Sequence, residues 1–202
     1  MKIISILILF MSGCNSNEVT EKAIEIKAKN LKSISDDFSK KDPTWSSKVG
    51  TWVFEQGVLK QSSTNNMFPL ILLEKERFSD VDVSVDFKPI SGHIDASGGI
   101  IFRAADKDNY YIVRANSLEN NFRLYTFKDG RRSQIASATV NEPEIRKFHS
   151  MRVVAKGNHI QAYLNGKLFI DHYDDSFADG YIGLWTKADA VTDFDNLKVV
   201  GK

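Results

Sequence analysis

The segment Val81-Asp82-Val83-Ser84-Val85-Asp86-Phe87-Lys88 alternates strictly between apolar and polar residues. Because a β-strand points successive side chains to opposite faces, its three valines and Phe87 share one face. Asp82, Ser84 and Asp86 lie with Lys88 on the other. One apolar face and one polar face are typical of a strand in an antiparallel sheet that packs on a core with one side only. The segment therefore predicts a sheet with one dry face and one wet face.

Similar alternation recurs from Trp45 onward, and no segment holds a helical apolar period for long. Turn signals separate the apolar runs: Asn165-Gly166 and Asp129-Gly130 favour tight hairpins, and Lys156-Gly157-Asn158 favours a third turn. We predict an all-β sandwich of two stacked antiparallel sheets. Besides the opening segment, the clearest predicted strands cover residues 99–103, 110–116, 122–127, 151–155 and 160–164.

The N-terminus predicts export. Lys2 precedes nine residues of which only Ser5 is polar, a run too short to span a bilayer as a helix. The small residues Ser12 and Gly13 follow, and then the only cysteine, Cys14, which has no disulfide partner in the chain. Met11-Ser12-Gly13-Cys14 resembles a bacterial lipoprotein lipobox, which implies cleavage before Cys14 and acylation of its new terminus. The alternative is a plain secretory peptide that leaves a free thiol.

These signals divide the chain into a signal peptide (1–13), a flexible lipid-anchored tether (14–33) and one domain (34–202). The expected location is the bacterial cell envelope, with the outer membrane as the expected membrane. The 27 Lys and Arg against 26 Asp and Glu leave a net charge of +1, so no basic bias predicts nucleic acid as a partner. The sequence also lacks the signature motifs of zinc hydrolases, P-loop enzymes and common serine hydrolases.

Strand alternation places an aromatic and cationic set on the wet faces of successive strands. If those strands are neighbours, the set forms one wall, on which an exposed Trp185 would stack against a sugar ring. Each residue alone has an ordinary explanation, since arginine and tyrosine are common on wet sheet faces and tryptophan is common in cores. The predicted binding residues are Arg103, Tyr110, Arg114, Asn116, Arg123, Trp185 and Lys187.

Several short motifs together resemble one family over roughly residues 34–200. They are Asp36-Asp37-Phe38, Trp52 with Gly57-Val58-Leu59, Gly98-Gly99-Ile100-Ile101-Phe102-Arg103, Asn109-Tyr110-Tyr111-Ile112-Val113-Arg114-Ala115-Asn116, Glu119-Asn120-Asn121, Asn165-Gly166, Gly183-Leu184-Trp185-Thr186-Lys187-Ala188-Asp189 and Phe194-Asp195-Asn196. The pattern resembles the concanavalin A-like jelly roll, and within it the LamG-like 3-keto-disaccharide hydrolase (3-keto-glucoside lyase and hydratase) domains, relatives of family-sixteen glycoside hydrolases. The resemblance implies a curved sandwich whose concave sheet meets a carbohydrate.

Classical hydrolysis is not supported. The Glu-x-Asp-x-x-Glu strand of family-sixteen enzymes is missing, and Asp82 and Asp86 lie roughly 13 Å apart along their strand, too far for a glycosidase pair. Cleavage of a 3-keto sugar does not need a pair of carboxylates, because the ketone acidifies the neighbouring C2 hydrogen and permits elimination. One base and a stabiliser of the enolate suffice. Arg103 and Arg114 could stabilise the enolate, and the candidate bases are Asp86, Glu119, Asp189 and His93.

The one cofactor indicated is a structural calcium. If the first and last strands pair, as the resemblance implies, Asp36, Asp37 and Asp195 could supply three oxygen ligands. The alternative is that Asp195 and Asn196 simply form a turn. For the whole domain, the alternatives to a carbohydrate-active domain are a noncatalytic glycan-binding module and an envelope module that contacts another protein.

Overall fold

A computed structural model describes residues 25–26 and 30–202. The predicted signal peptide, Cys14 and most of the predicted tether lie outside these residues. The described part contains fifteen strands and no α-helix, and it contains no helix long and apolar enough to cross a membrane. The strands are β1 (Lys32–Asp36), β2 (Trp45–Val49), β3 (Trp52–Glu55), β4 (Val58–Gln61), β5 (Leu70–Phe78), β6 (Val81–Ser91), β7 (Ser97–Ala104), β8 (Tyr110–Asn116), β9 (Asn121–Lys128), β10 (Arg131–Thr139), β11 (His149–Lys156), β12 (His159–Leu164), β13 (Lys167–Tyr173), β14 (Gly180–Trp185) and β15 (Val191–Gly201).

The strands form two antiparallel sheets. Sheet A has the order β13-β12-β11-β6-β15-β4-β3, with β1 paired to β15, and sheet B has the order β10-β9-β8-β7-β14-β5-β2. The pairing of β1 with β15 joins Lys32 to Gly201. The two-sheet sandwich predicted from the sequence is therefore confirmed, and its first strand includes Lys32 and Ser33, which the sequence assigns to the tether.

Alternation fixes which side of each strand enters the core. On β6, Val81, Val83, Val85 and Phe87 are all at most 1% exposed, as predicted, and they pack between the sheets. The hairpin predictions hold as well. Asn165 and Gly166 have φ angles of 50° and 77°, the left-handed pair that a type I′ turn requires.

Sheet B has apolar residues on both faces. Its inner face contributes Ile100, Phe102 and Val113, among others, to the main core. Its outer face carries a second buried cluster that includes Ile101, Ile112 and Trp185, and the described residues place no second sheet over this cluster. A sheet face that stays buried without a partner sheet must be covered by loops or by its own side chains. The outer face of sheet B is therefore the face on which the strand alternation places the predicted binding residues.

Candidate functional site

The register of four strands places one row of residues across the outer face of sheet B. Trp185 pairs with Gly99, Gly99 with Arg114, and Arg114 with Arg123. Glycine is needed in this row, because a Cβ on Gly99 would lie 2.6 Å from Ile112 Cδ1 and 3.2 Å from Arg114 Cβ. The missing side chain leaves room for the arginine beside it.

Arg114 and Arg123 face each other directly across β8 and β9. Like charges in such a pair destabilise a sheet, and Glu119 offsets this. Its Oε2 accepts from Arg114 Nη2 at 3.1 Å, from Arg123 Nη1 at 3.5 Å and from Asn121 Nδ2 at 2.7 Å. The Tyr125 hydroxyl lies 3.4 Å from each arginine. One carboxylate and one phenol thus hold the two arginines together.

The charges of this group follow from its contacts. Burial would raise the pKa of Glu119, but the hydrogen bond from Asn121 and the charges of Arg114 and Arg123 hold that pKa below its usual range. Burial would lower the pKa of Arg114, and Tyr125, Asp95 and Glu119 together raise it. The two groups are therefore fully charged at neutral pH. Glu119 acts as a permanent acceptor with little tendency to take up a proton.

Asp95 belongs to the same surface, although the sequence did not single it out. It is 0% exposed, its Oδ2 accepts from Asn116 Nδ2 at 3.0 Å, and Lys187 Nζ lies 3.4 Å away. Asn116 in turn accepts the backbone N–H groups of Ala96 at 3.1 Å and Leu118 at 3.0 Å. The structure thus joins two predicted binding residues, Asn116 and Lys187, to a buried carboxylate.

Burial raises the pKa of Asp95, and the nearby Ser97, Arg114 and Lys187 offset only part of that rise. Ser97 Oγ is close but makes no hydrogen bond of normal geometry to any described residue. The ionised form of Asp95 therefore costs free energy in the folded protein.

The polar group formed by Asp95, Arg114, Asn116, Glu119 and Arg123, here called the polar cluster, contains buried atoms without partners. Arg114 is 1% exposed, and its Nε and Nη1 make no hydrogen bond within residues 30–202. Asp95 Oδ1 is equally unpaired there. Buried polar atoms are nearly always hydrogen-bonded, so unpaired ones point to a missing partner such as water, an ion or a ligand. Donors beside an acceptor suit a hydroxyl group, which both donates and accepts.

Aromatic residues occupy the other part of the outer face. Trp185 is 0% exposed and stacks against Phe68, with ring centroids 5.8 Å apart. Tyr110 stacks on Phe127 at 4.4 Å, and Phe68 meets Phe127 edge-on at 5.1 Å. The sequence-based prediction of an exposed Trp185 is therefore wrong, although its placement on this face is right.

A loop explains why Trp185 is covered. Residues 62–69 fold over the end of β14, where Pro69 and Met67 accept backbone N–H groups from Thr186 at 3.0 Å and Ala188 at 3.1 Å. These bonds place the Phe68 ring on the Trp185 indole. The only available signal for this cover was the apolar Met67-Phe68-Pro69 within a polar loop. Tyr110 is also fully buried, so neither ring offers a free face to a sugar.

Arg103 does not lie with the polar cluster. The pairing of β7 with β14 slips between Tyr181–Ala104 and Gly183–Ile101, and Arg103 has a φ of 50°. This bulge reverses the alternation, so Ala104 takes the place on the outer face. Arg103 is 1% exposed and donates to the backbone oxygens of Ser79 at 2.9 Å and Phe177 at 3.1 Å. Its predicted role as binding residue and enolate stabiliser is not supported.

Of the four candidate bases, only Glu119 contacts Arg114. Asp86 lies on β6 in the other sheet, where it accepts from Asn196 Nδ2 at 2.9 Å. Asp189 accepts the backbone N–H groups of His93, Ile94 and Asp95 at 2.7–3.0 Å, which lower its pKa against the opposing effect of burial. Its role is to hold the loop that carries Asp95. The His93 side chain is exposed in that loop.

The predicted calcium site is not formed. Asp36 accepts from the Trp45 indole N–H at 2.8 Å, Asp37 accepts from Ser39 at 2.6 Å, and Asp195 accepts from the backbone of Asn196 at 2.6 Å. Within the described ranges, no three His, Cys, Asp or Glu side chains are arranged to hold a metal ion. The three carboxylates instead accept hydrogen bonds within turns and from the Trp45 indole.

Comparison with known proteins decides the family. The sequence profile of the 3-keto-alpha-glucoside-1,2-lyase-like domain matches residues 31–200. The chain belongs to this family. The resemblance inferred from the short motifs is thereby confirmed.

This 3-keto-alpha-glucoside-1,2-lyase-like domain also matches a levanase from Bacillus subtilis (strain 168), with 27% identity over 157 residues that cover 76% of the chain and 22% of the levanase. Among solved structures it is similar to the carbohydrate-binding module CBM66 from Bacillus subtilis, with a TM-score of 0.70, 25% identity and coverage of 77% and 94% of the two chains. A lichenase from a mouse hindgut metagenome matches with a TM-score of 0.64 and 12% identity, covering 84% and 98%. The latter likeness supports the fold alone.

The raised pKa of Asp95 gives a test by pH. A carboxyl group whose pKa is higher in the folded than in the unfolded state binds more protons when folded, so its contribution to stability falls as the pH rises above the unfolded value. Relative to the Asp95→Asn variant, the natural protein should lose free energy of unfolding as the pH is raised from about 3 to about 7. Urea unfolding of both proteins across this range measures the difference. A difference that stays constant, or grows in favour of the natural protein, contradicts the assignment.

Proposed function

We propose that this domain binds a glycoside at the polar cluster on the outer face of sheet B. Two donors on Arg114 and one acceptor on Asp95 are buried without partners among the described residues, and this arrangement is the main support for the proposal. Sugar hydroxyls could satisfy both at once, and Asn116, Glu119 and Arg123 add further polar groups around them. The similarity to a carbohydrate-binding module supports this choice of ligand.

A 3-keto disaccharide is the glycoside that the family description favours. Arg114 would face the ketone or a neighbouring hydroxyl, because it is the buried cation of the cluster and still has free N–H groups. Binding without turnover is the simpler function for this geometry. Glu119, the only candidate base in contact with Arg114, is already engaged by three donors.

Elimination is the second candidate, and the raised pKa of Asp95 favours it. The Asp95 carboxylate would take the proton from C2, and the electron pair of that bond would form an enolate whose negative oxygen faces Arg114. The enolate would collapse with rupture of the bond between C1 and the glycosidic oxygen, which then takes up a proton. The products would be a 1,2-unsaturated 3-keto sugar and the free alcohol.

Titration calorimetry with 3-keto disaccharides and their parent disaccharides tests binding. We expect Asp95→Asn and Arg114→Gln each to weaken binding about 10-fold or more, since each removes a hydrogen bond that involves a buried charge. Asp86→Asn, on the other sheet, should leave affinity unchanged. Product analysis by NMR on the same samples shows whether the alcohol is released. Equal affinity in all four proteins would refute binding at the polar cluster.

We also propose that Cys14 anchors the protein to the bacterial envelope through a lipid. The proposal depends on the lipobox-like Met11-Ser12-Gly13-Cys14 after an apolar run, and it places the domain on the extracytoplasmic side of a membrane. An acyl chain alone gives weak anchoring, and several chains on one terminus give a stable one. The polar segment up to β1 would then provide reach.

Metabolic labelling with an alkyne fatty acid in a bacterial host tests the anchor. The full chain should incorporate the label and sediment with membranes, whereas Cys14→Ser should carry no label. A labelled Cys14→Ser protein, or an unlabelled natural protein in the soluble fraction, would contradict lipid attachment.

A further inference from the structure

Two arginines on the outer face of sheet B extend the polar cluster toward solvent. Arg123 has a half-buried side chain and lies 3.4 Å from the Tyr125 hydroxyl, and Arg132 on β10 pairs with Phe127 on the other side of Tyr125. The Arg132 guanidinium sits 4.8 Å from the centre of the Tyr125 ring and 5.1 Å from that of Phe68. Stacking on two rings holds the guanidinium in place and uses none of its N–H groups as hydrogen-bond donors.

The positive charge of this group exceeds its negative charge. Arg114 and Arg123 share the single carboxylate of Glu119, and Asp95 lies close to Lys187. Arg132 forms no ion pair with any carboxylate in the part of the chain that the structure describes. The chain as a whole carries a net charge of only +1, so the excess is a local property of this face.

Among the buried atoms without partners, guanidinium nitrogens are likewise in excess. In addition to the two nitrogens of Arg114, Arg123 Nε and Arg132 Nη1 are buried and lack hydrogen-bond partners among the described residues. Four guanidinium nitrogens around Tyr125 thus lack hydrogen-bond acceptors. Guanidinium groups match the planar or tetrahedral oxygens of carboxylate and sulfate better than they match hydroxyls. A neutral glycan would leave most of this donor capacity unused.

We infer that the bound glycan carries acidic groups, as in a uronic acid or a sulfated sugar, and that Arg123 and Arg132 pair with them. This inference rests on the proposed glycan binding at the polar cluster and names the chemical class of its ligand. Sugar hydroxyls would meet Asp95 and Arg114, and the acidic substituents would lie over Tyr125.

Trigalacturonic acid and its carboxyl-reduced form, trigalactose, provide a matched pair of probes, with a chondroitin sulfate tetrasaccharide as the sulfated arm. We expect an acidic probe to bind about 10-fold or more tighter than trigalactose at low salt, and this preference to shrink as salt is added. Arg132→Gln should reduce the preference. Arg131→Gln, which removes the exposed neighbouring charge, should not change it.

Arg132→Lys separates a folding defect from a binding defect, because it keeps the charge and loses the planar fork. Its thermal unfolding should lie closer to that of the natural protein than the unfolding of Arg132→Gln does, and its affinity for the acidic probe should lie between those of the natural protein and Arg132→Gln. Equal affinity for trigalacturonic acid and trigalactose would overturn the acidic-ligand inference and leave glycan binding standing. If neither these probes nor the 3-keto disaccharides bind, both the acidic-ligand inference and the proposed glycan binding are overturned. Displacement of the acidic probe by inorganic sulfate at equal concentration would show an anion site that does not recognise the sugar, and it would overturn the inference of an acidic glycan.

Discussion

The carboxylate of Glu119 between Arg114 and Arg123 is the contact on which the outer face of sheet B depends. The register of β8 and β9 forces the two guanidinium groups side by side, and without an acceptor their repulsion would oppose strand pairing. Glu119 comes from the short turn between the same two strands, so the hairpin carries its own counterion. Because that carboxylate is shared, each arginine keeps donors for another partner. The strand pairing therefore stays intact while the face keeps binding capacity.

The outer face of sheet B has no partner sheet in the described part of the chain, and it is buried in two different ways. Its aromatic part is closed by the loop that carries Phe68, which buries Trp185 and Tyr110 and contributes to stability in the way a core does. Its polar part is buried by close packing of charged side chains and leaves several of their atoms unpaired. Such atoms cost free energy in the absence of a partner. Asp95, Arg114 and Arg123 together contribute four unpaired buried atoms to this part of the face, and this grouping indicates a site.

Alternation in the sequence was enough to predict β6 and β8, their inner faces and the gathering of Arg114, Asn116, Arg123 and Trp185 on one side of a sheet. It failed at Arg103, because a single extra residue in β7 reverses every following side chain, and no glycine marks that bulge. It also failed to show that Trp185 is covered. That cover comes from a loop more than one hundred residues earlier in the chain, and period-two patterns carry no information about such contacts.

Asp95 could not be found from the sequence for a related reason. It precedes β7 in a loop of ordinary composition, and nothing in that loop shows that Asp189 ties its backbone N–H groups or that Lys187 and Asn116 converge on its side chain. Lys187 and Asp189 lie on the loop between β14 and β15, and Asn116 lies at the end of β8. Only the assembled sheet brings these two segments to the loop of Asp95, so Asp95 is the charged residue of the site that the sequence does not show.

The most direct measurement is a crystal structure of the protein with an oligosaccharide that binds it in solution. We expect sugar oxygens within hydrogen-bond distance of Arg114 Nε or Nη1 and of Asp95 Oδ1, on the outer face of sheet B. A sugar seated on sheet A or beside Arg103, with the Arg114 and Asp95 atoms occupied by water alone, would contradict this expectation.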